Sequence, residues 1–145
     1  MQTAFYIGKG KPLNYLIRFV QRVKGTANWH ISHCETVMQD LGDGFYLCGS
    51  ASAMDGGVRI KAIDLNNGNW IITGEPRNEE RAWALYKALN GDHYDYIGAF
   101  KHILPFLNSD LDKWFCSEIC ARVLGLTGEP SPAELYNDLT KNKDQ

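Results

Sequence analysis

The stretch Trp114-Phe115-Cys116-Ser117-Glu118-Ile119-Cys120 decides how this chain is read, because it sets a cysteine at the mouth of a helix. Asn108, Ser109, Asp110 and Asp112 make a turn-rich approach, and Ile119, Cys120, Val123 and Leu124 follow at helical spacing. Cys116 is therefore expected in the first helical turn. Unpaired amide hydrogens and the positive dipole end there favour a thiolate over a thiol. An ordinary cysteine, with a pKa of about 8.5, is mostly protonated at neutral pH, and the anion is the nucleophile. Glu118 would point away from Cys116 on a helix and reads as a first-turn dipole partner or hydrogen-bond acceptor.

A base for that cysteine lies far upstream, in Trp29-His30-Ile31-Ser32-His33-Cys34-Glu35-Thr36-Val37-Met38. Read with period two, Ile31, His33, Glu35 and Val37 share one face, and Ser32, Cys34, Thr36 and Met38 share the other. A histidine and a carboxylate thus lie on one strand face. His30 has the opposite parity, and His93 and His102 are the remaining histidines. Glu35 is the preferred partner for the imidazole, although side chains two apart run parallel and favour a cross-strand bond less than opposed ones do.

Five short segments in this order, Ser32-His33, Gly56-Gly57-Val58-Arg59 with Ile63-Asp64-Leu65, Tyr94-Asp95-Tyr96, Phe115-Cys116-Ser117-Glu118 and Ser131-Pro132-Ala133-Glu134-Leu135-Tyr136, resemble the circularly permuted branch of the NlpC/P60 papain-like cysteine hydrolases. The resemblance spans roughly residues 11–139, and within the branch it is to small proteins of bacteriophages and bacteria. It implies a papain-like α+β fold with Cys116 as nucleophile and His33 as general base, the chain order being the reverse of papain's. Triads are recognised by geometry and not by order. Members of the branch often carry a Glu on the strand after the histidine strand, where this chain reads Leu47-Cys48-Gly49-Ser50-Ala51-Ser52. The resemblance therefore leaves Glu35 and Ser50 as alternatives for the third position. It also suggests Tyr94 or Tyr96 beside the oxyanion, where an aromatic covering the core is an equal reading.

At 145 residues with 44% hydrophobic content, the chain has the size and apolar supply of one domain, residues 1–145. A net charge of -2 gives no general attraction to nucleic acid or an anionic membrane; Lys9, Lys11, Arg18, Arg22 and Lys24 form a local basic patch. The N-terminus lacks the charged start and apolar run of a signal peptide, so a cytoplasmic setting with reduced thiols at Cys34, Cys48, Cys116 and Cys120 is expected. No apolar run approaches the ~20 residues of a membrane span. The cysteines lack the paired spacing of a metal site, and no cofactor is called for. Gly8-Lys9-Gly10-Lys11 lacks the phosphate-loop pattern and reads as a loop.

Leu13, Leu16, Ile17, Val20 and Val23 recur at helical spacing after Pro12, with Arg18, Arg22 and Lys24 turned away and Gly25 as a stop. Residues 45–51, 58–63 and 70–73 read as strands of an antiparallel meander, separated by Gly-Asp-Gly, Asp-Gly-Gly and Asn-Asn-Gly-Asn turns. A helix follows Asn78, with Ala82, Leu85, Tyr86 and Leu89 on one face and Gly91 after it; another is expected over 97–103, and a last one after Pro132. The tail, 141–145, reads as frayed. Helices flanking a small antiparallel sheet make the expected class α+β.

The combined expectation is acyl transfer, in which His33 takes the Cys116 proton and the thiolate attacks an amide or ester carbonyl. The Cys116 amide is the candidate oxyanion donor. By resemblance the substrate is a peptide, peptidoglycan or an acyl lipid, with peptidase or amidase first. A non-catalytic papain-like binding module is the rival, and nucleic-acid binding has neither motif nor surface in its favour.

Overall fold

The computed structural model describes residues 2–75, 79–91, 93, 94 and 113–141. The elements run β1 (Thr3–Tyr6), α1 (Pro12–Val23), β2 (His33–Gly42), β3 (Phe45–Ser52), β4 (Gly57–Asp64), β5 (Trp70–Thr73), α2 (Glu79–Leu89), β6 (His93–Tyr94), β7 (Lys113–Trp114), α3 (Cys116–Leu124) and α4 (Pro132–Lys141). One sheet holds all the strands in the order β5-β1-β2-β3-β4-β6-β7. The five longer strands pair antiparallel, and the two-residue β6 and β7 pair parallel at the edge. The chain is α+β, with four helices among the described residues.

The meander exists but ends one strand early. β2, β3 and β4 are joined by tight turns, whereas β5 leaves β4 and pairs with β1 at the opposite edge, Thr3 opposite Thr73. β1 is the strand the sequence did not announce: four residues carry too little pattern to separate from a loop. It pairs with β2 on one side and β5 on the other, and both Ala4 and Phe5 are fully buried. β2 begins at His33, four residues later than Trp29, and its alternation holds from there. Cys34 and Met38 enter one cluster with Phe5, Tyr86, Ile119 and Leu135, and Val37 joins Ala4, Cys48 and Leu65 on the other face.

The sheet is thinned where a helix must come close. A side chain at Gly49 would place its first carbon 2.6 Å from the Tyr86 ring, so the absence of a Cβ there lets α2 seat Tyr86 on the sheet. Tyr86 is fully buried, and its hydroxyl lies 2.8 Å from that of Thr36. α3 is closed by Gly125 in the left-handed region, φ 77°, whose amide bonds back to Arg122. At the start of α4 the amide of Ser131 donates to Glu134 at 2.7 Å and the Glu134 amide to the Ser131 hydroxyl at 3.4 Å, a reciprocal cap written in Ser131-Pro132-Ala133-Glu134.

α1 has the expected span and the expected faces except at Arg18 and Val23. Ile17 and Val20 are buried as anticipated, yet Arg18 is buried with them and donates to the Gly8 carbonyl, while Val23 is 70% exposed. Residues 8–11 form the expected loop, whose carbonyl claims that guanidinium. The expected helix at 97–103, the turn at 108–112, His102 and the tail beyond 141 lie outside the described residues. Among the described residues no helix is long and apolar enough to cross a membrane, and no group of His, Cys, Asp and Glu is placed to hold a metal ion.

Candidate active site

α3 lies along β2. Four helical residues advance about 6 Å and two strand residues about 6.6 Å, so the elements meet in matched rungs, Cys116 at the start of β2 and Cys120 at Thr36. Cys116 is the first residue of α3, with Phe115 extended before it (φ -100°, ψ 148°). The Glu118 carboxylate turns back to accept from the Phe115 amide at 3.4 Å, the acceptor role read from the sequence. As a first-turn residue, Cys116 has no intrahelical carbonyl for its own amide.

The Cys116 side chain is fully buried, and the groups that act on its charge are the His33 ring and the thiol and backbone amide of Cys34. On the far side of the ring, His33 Nε2 is 2.7 Å from Glu35 Oε1. The direct bond between residues two apart therefore forms, because a glutamate is long enough to lean back along the strand. With Nε2 taken, Nδ1 is the ring nitrogen left for the sulfur.

Glu35 is held in turn by a residue the sequence reading quoted but gave no role. Arg59 on β4 reaches across β3 and donates Nη2 to Glu35 Oε1 and Nη1 to Oε2, both at 2.6 Å. Its Nε donates to Asp55 Oδ2 at 2.8 Å, and Lys61 adds a bond of 3.0 Å to the same carboxylate. A row thus runs Lys61, Asp55, Arg59, Glu35, His33, Cys116. The contact follows from register, which the structure supplies: Arg59 pairs with Ser50, one step along from the Gly49–Thr36 pair beside Glu35.

Electrostatics follow from this order. Burial works against charge on Glu35, whose side chain is 1% exposed, but the fork of Arg59 and then the imidazole hold its pKa below the usual carboxylate range. Burial likewise works against the imidazolium, and the Cys116 thiolate, followed by Glu35, outweighs it and lifts the His33 pKa to about 10. For Cys116, burial favours the thiol; donation from Cys34, the His33 charge and the Cys34 amide reverse this and bring the pKa well below the usual thiol value. The resting pair is thiolate and imidazolium. The Cys34 thiol is pushed up by burial and by its bond to Cys116, so it stays a donor.

The other candidates take different places. Ser50 is fully buried and donates to the Cys34 carbonyl at 2.7 Å, bracing the backbone behind the site. Tyr94 pairs through its backbone with Trp114, its side chain lies outside the described residues, and so does Tyr96. The His33 ring keeps 19% of its side-chain surface and meets Trp70 edge-on at 6.3 Å, with Tyr6 5.0 Å beyond. A surface cleft lined by Leu126, Pro130, Glu134 and Asn137 contains none of these groups. All four cysteines are free.

The chain matches no family model, no curated protein and no solved structure. The geometry of Cys116, His33, Glu35 and Arg59 is what a functional reading has to rest on.

Proposed function

We propose that the chain is a thiol hydrolase that cleaves an amide or ester through an acyl intermediate on Cys116. The observation that carries this reading is the continuous row from Arg59 through Glu35 and His33 to a sulfur at a helix N-terminus. Each member prepares the next: Arg59 keeps Glu35 anionic, Glu35 orients and charges His33, and His33 keeps Cys116 as a thiolate.

In the proposed cycle the Cys116 sulfur bonds to the substrate carbonyl carbon, and the oxygen takes the negative charge near the Cys116 amide. As the tetrahedral species collapses, the imidazolium gives its proton to the departing amine or alkoxide, leaving a thioester. Neutral His33 then takes a proton from water, the hydroxide adds to the thioester carbonyl, and Cys116 leaves as thiolate. A peptide or peptidoglycan amide is the first substrate class and an acyl lipid the second, both by resemblance to the permuted papain-like hydrolases.

Full burial of Cys116 favours a second reading, a papain-like module that binds without turning over. Peptides, peptidoglycan fragments and acyl lipids, each incubated with wild type and Cys116→Ala and followed by intact mass, separate the two. Product release and an acyl adduct confined to wild type support the hydrolase. Failure of every class, together with iodoacetamide labelling Cys116 as slowly as Cys34, Cys48 and Cys120, supports the module.

A further inference from the structure

α1 has two apolar faces, of which one is covered among the described residues. Ile17 and Val20 are buried against the core, while Tyr15, Phe19 and Val23, spaced four apart on the same helix, stand 55%, 64% and 70% exposed. Trp29, 39% exposed, extends this stripe: its carbonyl is held by Gln21 and its ring lies under the Arg22 guanidinium, 5.1 Å away. Exposed apolar side chains are common singly, but a helical row of aromatic and aliphatic residues is not.

The charged side chains of α1 and the segments that flank it in sequence have one sign, whereas α4, which bonds to Ala27 and Asn28 through Asn137, carries Glu134 and Asp138. Lys9, Lys11, Arg22 and Lys24 are exposed, and no Asp or Glu precedes Glu35 in the chain. The contrast within the molecule is the β2–β3 turn, where Leu41 and Phe45 are also exposed but stand among Asp40, Asp43 and Asp64. An acidic surface would repel that turn and attract α1. The burial of Arg18 sharpens the division, because the fold withdraws a cation from the helix and leaves Phe19 and Val23 outside.

We infer that the outer face of α1, with Trp29, docks onto an anionic lipid surface, lying in the interface and not crossing it. Phe19 and Val23 enter the acyl boundary, Tyr15 and Trp29 sit at headgroup level, and Lys9, Lys11, Arg22 and Lys24 meet the lipid phosphates. The inference is independent of the hydrolase reading, since none of these side chains belongs to the Cys116 row.

The test is co-sedimentation of the full chain with vesicles of phosphatidylcholine, with and without phosphatidylglycerol, at low and high salt. Wild type is expected to sediment with the anionic vesicles, and less so as salt rises. Cys116→Ala is expected to sediment as wild type does, which separates docking from hydrolysis. Phe19→Ser with Val23→Ser lowers the partition about tenfold or more, and Lys24→Glu about fivefold or more, with circular dichroism and melting unchanged because the positions are exposed. Absence of binding to anionic vesicles at low salt overturns the inference, as does unchanged binding of the Phe19/Val23 variant. A concentration-dependent dimer that the same variant abolishes also overturns it, by assigning the face to a second copy.

Discussion

Cys116 and Cys120 lie one turn apart on α3, both fully buried and both facing β2, yet their surroundings differ in kind. Cys116 is acted on by an imidazole that is paired with a carboxylate, and by the thiol and amide of Cys34. Cys120 meets the hydroxyls of Thr36 at 3.4 Å and Tyr86 at 3.9 Å. Burial alone therefore does not set the ionisation of Cys116. The helix terminus and the charge opposite it do, and both act only on the first rung.

The largest expected effect is on turnover. Cys116→Ala lowers hydrolysis of the identified substrate by about 10⁴-fold or more, while Cys120→Ala leaves it unchanged; steady-state kinetics on both variants check the contrast. Equal losses would show that the two rungs act as one structural unit. The same asymmetry is expected in alkylation: at neutral pH iodoacetamide labels Cys116 about 10²-fold faster than Cys120, and His33→Ala removes the advantage, read by peptide mass spectrometry.

Next in size is the support behind His33. Glu35→Gln keeps the shape but not the charge, and Arg59→Met leaves Glu35 buried beside a neutral neighbour. Each is expected to lower kcat/KM by about 10²-fold through misplacement of the imidazole and to cost roughly 3 kcal/mol in denaturant unfolding, because the buried Arg59–Glu35 pair is broken and the remaining charge keeps only its other neighbour, Asp55 or His33. Glu35, with its pKa lowered, contributes stability that is present above its unfolded value of 4.5 and is lost as pH falls through the folded value. Glu35→Gln should therefore flatten the acid limb of the stability curve.

A smaller, spectroscopic effect reports the charge pair itself. His33 in the fold keeps its proton up to about 10 against 6.5 in the unfolded chain, so its contribution is complete below 6.5 and is lost as pH rises through the folded value. Its ring proton resonances are expected to stay constant from pH 6.5 to 9, whereas in Cys116→Ser, which lacks the thiolate, they titrate within that window. An unshifted titration in the wild type would break the ion-pair description. The smallest effect belongs to the second rung: Tyr86→Phe removes the bond to Thr36 and lowers stability by about 1 kcal/mol without changing Cys116 alkylation.

Much of this arrangement was legible in the residues. Period two placed His33 and Glu35 on one face, the Asn-Ser-Asp approach and the apolar run placed Cys116 at a helix start, and turn glycines marked the β2–β3–β4 meander. β1 and the position of β5 were not legible, because a four-residue strand has little pattern and strand order depends on which edge stays open after the meander closes. The exchange of Arg18 and Val23 on α1 was hidden for a related reason. Helical spacing identifies apolar positions but does not say which of two apolar stripes the core will cover, and the Gly8 carbonyl that draws Arg18 inward is supplied by the loop ahead of the helix.

By itself, the order of residues determined the local states: where helices start and stop, which strand side chains share a face, and which cysteine meets unpaired amides. Those depend on neighbours within a few positions. Only the tertiary structure decided that Arg59 forks onto Glu35, that His33 and Cys34 act on the charge of Cys116 and that Cys120 finds hydroxyls. Each of those contacts joins residues more than twenty positions apart, and the free energy of a buried charge is set by the partners that strand order and helix placement bring within about 3 Å of it.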